Sequence, residues 1–125
     1  MPATAAAATT SLMRATVGDI VAAGVQDIPI GLFNECSAIA AANGFAPREA
    51  ALNTGVSILT APGSLFTASM LRDIEQRGRI EADHIIGDLL RRAPSSVHAP
   101  LLATAYAHLR AYEARRTREN LGTAL

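Results

Sequence analysis

The chain has 125 residues, half of them hydrophobic, 18% charged and only 4% aromatic. That length suits one domain with its own core and is too short for a two-domain enzyme. Eleven basic residues balance eleven acids, which leaves no net field to recruit nucleic acid or an anionic membrane, and all eleven are arginine, so Schiff-base and P-loop lysines are excluded.

Residues 3–11 are Ala, Thr and Ser only, and the first basic residue is Arg14. A secretory leader has earlier positive charge and a Leu-rich stretch. No window is apolar for long enough to span a bilayer. The single cysteine, Cys36, makes no internal disulfide, and a soluble, reduced, cytoplasmic setting is expected. Met13, Val17, Ile20 and Val21 form one stripe of a first helix expected over roughly residues 4–23. Leu32, Cys36, Ile39 and Ala40 repeat the offsets on a second helix, closed by Asn43-Gly44.

Pro47 and Glu49 suit the first turn of a third helix that runs through Leu52 and Val56 and stops before Pro62-Gly63. Ser64 to Arg77 is expected as a fourth, with Phe66, Met70 and Ile74 on one stripe and Gly78 breaking it. The fifth carries Ala82, Ile86, Leu89, Leu90 and Ala93. The sixth, from about Ala99, carries Leu102, Ala105, Leu109 and Tyr112 and ends in the charged run from Arg115 to Glu119. The only strand-like run, Val56 to Thr60, is too short and isolated to imply a sheet. The expected architecture is a single all-α domain, residues 1–125, of about six helices.

Absences remove several chemistries. No glycines are spaced as Gly-x-Gly, there is no Walker A sequence, and His84, His98 and His108 are not at i, i+4 spacing. His84 lies near Glu81, Asp83 and Asp88, an arrangement read as a solvated helix face rather than a metal site, and Cys36 reads as a core thiol. Arg115 to Arg118, flanked by Glu113 and Glu119 and without interleaved aromatics, is not a nucleic-acid contact.

The segment from Ser69 to Gly87 carries more. Ser69 and Asp73 share a helix face, Gly78 turns the chain, and Glu81 falls in the first turn of the next helix, where backbone N–H groups favour a carboxylate. A hydroxyl and a carboxylate brought together this way suit a polyol or a hydroxy acid. The alternative reading makes Ser69 a capping residue and Glu81 a helix-start carboxylate, spent on a local backbone bond and on Arg77 or Arg79 respectively. Under the first reading Ser69 and Glu81 face one open concave surface, with Met70 and Ile74 turned to the core.

The same segment resembles the signature of the C-terminal domain of ketopantoate reductases (2-dehydropantoate 2-reductases). In that family a Ser-Ser-Met-x-x-Asp segment is followed by a Glu-x-Asp and then a Gly. Ala68-Ser69-Met70-Leu71-Arg72-Asp73, Glu81-Ala82-Asp83 and Gly87 keep that order, with Ala68 in place of the first serine. The helix from Asn34-Glu35-Cys36 to Asn43-Gly44, the Ala99-Pro100-Leu101-Leu102 start followed by Tyr106, and the run from Leu12 to Ile20 are also similar to the family.

The resemblance implies the all-α fold shared with the C-terminal domain of 6-phosphogluconate dehydrogenase. It further implies reduction of a small 2-oxo acid with NADPH bound by an N-terminal Rossmann domain, which this chain is expected to lack. Ser69 matches the serine that holds the substrate carboxylate. Glu81 matches the catalytic glutamate near the reacting hydroxyl and the nicotinamide ribose, and Asp73 matches a structural position. The family's catalytic lysine and the asparagines after it have no counterpart, since that helix reads Ala3 to Thr10 here, and Phe66 stands where some members have a substrate-binding asparagine. The chain alone is therefore expected to bind no cofactor and show no turnover. A homo-oligomer or a separate Rossmann partner is expected to cover its exposed faces. The rival reading is a non-catalytic helical interaction or dimerisation module that kept the fold.

Overall fold

In the computed structural model, which describes residues 2–124 and the side chains of residues 3–120, the alanine and threonine run near the N-terminus forms α1 (Pro2–Met13). It is the central helix. Ala5 to Ala8 and Thr9 to Ser11 are all buried. Small side chains let neighbouring helices close on α1 from several directions. Those neighbours are α3 (Asp27–Ala42), α4 (Glu49–Leu59), α5 (Ser69–Glu75), α7 (Pro100–Ala124) and a π-helical turn, Asp83–Gly87, that runs straight into α6 (Asp88–Arg91). α2 (Val17–Ala22) completes seven helices, and no strand occurs among the described residues.

The large apolar residues follow the expected stripes. Leu32, Cys36 and Ile39 of α3, Met70 and Ile74 of α5, Ala82 and Ile86, and Leu102, Ala105 and Leu109 of α7 meet around α1. Gly55 admits the Phe33 ring into the α3–α4 contact, where a Cβ on Gly55 would lie 2.3 Å from the ring's Cζ. Glu35 joins α3 to α7: its carboxylate accepts the amides of Leu101 at 3.1 Å and Leu102 at 2.8 Å. These amides are among the unpaired donors at the start of α7, so the acid satisfies groups that the helix itself cannot.

The expected fifth helix is the π-helical turn followed by α6, which ends at Arg91, and other boundaries also differ from the six-helix reading. The first helix is two, because Arg14 adopts a left-handed backbone (φ 54°) and Thr16 caps α2 by accepting the Asp19 amide at 3.1 Å. The fourth begins at Ser69 and not at Ser64. Residues 64–66 are held instead against the start of α2, where Gly18 donates to the Ser64 carbonyl at 2.8 Å and Val17 to that of Phe66 at 3.0 Å. A Cβ on Gly18 would lie 2.6 Å from the Ser64 backbone, so only glycine permits this approach. Phe66 thereby leaves the Met70–Ile74 stripe and is exposed. The break after α5 falls at Arg77 (φ 57°) and not at Gly78.

Four helices end in the same way. After α2 and α3 the left-handed residue is glycine, Gly24 and Gly44, as the conformation favours. After α1 and α5 it is Arg14 and Arg77, each at a backbone cost of about 1–2 kcal/mol. The α5 turn shows the full pattern, with Arg77 donating to the Ile74 carbonyl at 3.0 Å and Gly78 to that of Asp73 at 2.7 Å.

Candidate functional site

Ser69 is the first residue of α5, and Glu81 directly precedes the helical turn at Ala82, its carbonyl accepting the Ile85 amide at 2.9 Å. Both side chains are exposed. Neither carries a hydrogen bond or an ion pair among the described residues, so Ser69 is not spent on a local backbone bond and Glu81 is not spent on Arg77 or Arg79. Met70 and Ile74 are buried as expected. The Ser69 position is fixed from beneath: the buried Thr10 hydroxyl accepts the amide of Ala68 at 3.2 Å and donates to the Ala6 carbonyl at 2.8 Å.

Two residues beyond Glu81, Asp83 is the hub of a polar cluster. Tyr106 of α7 donates its hydroxyl to Asp83 Oδ1 at 2.6 Å, and Arg91 bonds both Asp83 and Asp88. Arg91 and Tyr106 hold the Asp83 carboxyl down at about 2, and Arg91 likewise lowers that of Asp88. Gly87 makes the Tyr106 contact possible, since a Cβ there would lie 2.7 Å from Asp83 Oδ1 and 2.9 Å from the Tyr106 hydroxyl. His84 sits 3.7 Å from Asp88 on the solvent side. No group of three or more His, Cys, Asp or Glu able to hold a metal is assembled among the described residues. Burial pushes the Cys36 thiol up to about 11, which fits a core residue and not a nucleophile.

Glu113 of α7 is raised above the ordinary carboxylate range by burial and by the charges of Asp83 and Glu81. The chain also has a cleft of about 290 Å³, lined by residues of α5 and α7 together with Arg14 and Arg77, and neither Ser69 nor Glu81 lines it.

Residues 2–113 match the family described as ketopantoate reductase PanE/ApbA C terminal. The chain belongs to that family. Its fold agrees with a structure of the dimeric ketopantoate reductase of Staphylococcus aureus, with a TM-score of 0.75 and 27% identity over 87% of this chain and 39% of that one. It is also 41% identical over 59 residues to the uncharacterized oxidoreductase YkpB of Bacillus subtilis (strain 168), covering 46% of this chain and 20% of the relative. The chain thus spans well under half the length of these relatives. It is a ketopantoate reductase-like helical C-terminal domain, and no helix among the described residues is long and apolar enough to cross a membrane.

Sequence reasoning missed three groups that support the site. Thr10 lies in a patternless run, and its partner Ala68 is 58 residues away. Glu35 was visible as part of the family-like helix, but its capping of α7 depends on a fold that brings positions 66 residues apart together. The Asp88–Arg91 pair has the i, i+3 spacing of a helical ion pair, a signal present in the sequence.

Proposed function

We propose that this chain is the substrate-binding helical half of a ketopantoate reductase-like enzyme that reduces a 2-oxo acid with NADPH. The observation that carries this reading is the pair Ser69 and Glu81. Both are solvent-facing polar side chains without partners among the described residues, and by the likeness of the Ser69–Gly87 segment to the family's signature they are taken as its substrate-binding and catalytic groups. In this reading the Ser69 hydroxyl donates to the substrate carboxylate. The Glu81 carboxylate accepts from the hydroxyl formed at the reduced carbon.

NADPH supplies the hydride when bound, and the residues here fit one end of it. Glu81 is exposed and free to accept from a ribose hydroxyl. A dinucleotide's phosphates require a glycine-rich loop after a strand, and this chain has no Gly-x-Gly sequence. The remainder of the cofactor then rests on a Rossmann domain, and the isolated chain is expected to show no NADPH-dependent turnover. Asp83, tied to Arg91 and Tyr106, holds the backbone next to Glu81 in place without competing for the substrate. By the same family likeness the enzyme acts in the cytoplasm, in pantothenate synthesis.

The test is an NMR titration of the chain with 2-dehydropantoate. Amide shifts clustered at residues 68–70 and 80–82, lost in Ser69→Ala, are expected. Shifts that map elsewhere, or that persist in that variant, overturn the assignment. In a complete enzyme Glu81→Gln, which replaces a charged acceptor by a neutral one, is expected to slow turnover by about 10–10²-fold.

A second reading concerns association. Leu65 and Phe45 are 86% and 76% exposed, and the neighbouring Phe66 is also open to solvent. Contiguous apolar groups left open in this way suit an association surface. The Staphylococcus aureus relative is dimeric, and the chain is proposed to self-associate or to pack on its cofactor domain. Sedimentation equilibrium giving the mass of a single 13.0 kDa chain at all concentrations overturns self-association.

A further inference from the structure

Arg14 and Arg77 share two properties. Each takes the left-handed position that closes a helix, where the chain elsewhere uses Gly24 and Gly44. Each also lines the same cleft of about 290 Å³. An arginine in that conformation is a side chain kept in place against its backbone preference, and strain of this kind collects at ligand sites.

Arg115 and Arg116 of α7 bring the cleft to four guanidinium groups, against the two carboxylates of Glu75 and Glu119. Glu75 approaches Arg14 at 3.9 Å, and Glu119 accepts from Arg115 Nε at 2.8 Å. The lining therefore keeps an excess of two positive charges. Arg14, Arg77, Arg115 and Arg116 come from three separate parts of the chain and line this one cleft.

Two bonds from α7 hold the strained turn in place. Arg116 Nε donates to the Arg77 carbonyl at 3.0 Å, and the Tyr112 hydroxyl donates to that of Gly78 at 2.6 Å. Ile74 and the Tyr112 ring supply the apolar part of the lining.

We propose that this cleft binds the phosphate group of a small phosphorylated molecule through Arg14, Arg77, Arg115 and Arg116. Planar guanidinium groups pair with phosphate oxygens two at a time, and a twofold positive excess matches a phosphate monoester dianion. The volume suits a small molecule. The site is separate from Ser69 and Glu81.

The test is titration of the chain with inorganic phosphate and with glycerol 3-phosphate at constant ionic strength, followed by arginine side-chain NMR and by thermal melting. Saturable shifts at the four arginines and a raised Tm are expected. Tighter binding of the monoester identifies an organic phosphate as the ligand, and equal binding identifies free phosphate; both support the site. Arg77→Gly relieves the left-handed strain, so it melts higher without ligand, while its phosphate affinity falls by about tenfold or more. A response matched by chloride, no response, or affinity unchanged in Arg77→Gly overturns the proposal.

Discussion

The hydroxyl of Thr10 and the amide of Ala68 meet at 3.2 Å, joining the last turn of α1 to the residue just before α5. The same hydroxyl donates to the Ala6 carbonyl, so both of its bonding roles are used inside the core. Thr10→Val keeps the shape and leaves the Ala68 amide without this acceptor. It is expected to cost about 1–3 kcal/mol in urea unfolding and to speed hydrogen exchange at Ala68. Thr10→Ser retains both bonds and should recover most of the loss.

Gly87→Ala places a methyl group against the Asp83 carboxylate and the Tyr106 phenol, which leave no room for it while they stay bonded to each other. The Tyr106–Asp83 bond should break. The expected readouts are a lower Tm and a downfield-shifting titration of Asp83 that moves back toward the ordinary carboxylate range. Tyr106→Phe should reproduce the titration change without the steric effect.

Asp83 also makes stability depend on acidity. Its carboxyl is held at about 2 in the fold against an ordinary 3.8, so the folded state binds the proton less readily than the unfolded chain. Its contribution is complete above pH 3.8 and is lost as the pH falls toward about 2. Melting temperatures of the native chain and of Asp83→Asn should therefore differ at neutral pH and converge across that window.

Gly55 and Phe33 form a matched pair. Gly55→Ala is expected to destabilise by about 1–3 kcal/mol through overpacking. Phe33→Leu opens the space that the new methyl group needs. A double-mutant cycle should show the two substitutions together costing less than the sum of each alone.

Cys36, fully buried and with its thiol raised to about 11, should resist thiol reagents in the native chain at neutral pH. Labelling should follow the rate of unfolding, which an aromatic disulfide reagent measures directly.

The stripes of α3, α5 and α7 were legible because Leu32, Ile39, Ile74, Leu102 and Leu109 are large and spaced by the helical period. α1 was expected as part of a helix over residues 4–23, but its central burial was hidden, because a helix buried on all sides shows no periodicity and its alanines and threonines give no hydrophobic contrast. The division at Arg14 was hidden for a related reason: arginine is an unusual choice for a left-handed residue, so nothing marked a break there. Ser64 to Phe66 left the helix because the backbone of α2 offered it bonds through Gly18, a long-range choice that local propensity does not encode. For Ser69 and Glu81, spacing alone favoured a local capping role, and the binding roles proposed for them rest on the likeness to the family signature.

The burial of α1 has a consequence for how this sequence can change. Alanine freezes no rotamers on folding, so the middle of the domain assembles with almost no side-chain entropy to lose. The same economy leaves no slack, because a larger residue at Ala5 or Ala8 must push a whole neighbouring helix aside and cannot simply rotate away. The segment that looks most like filler is the one with the least freedom to vary.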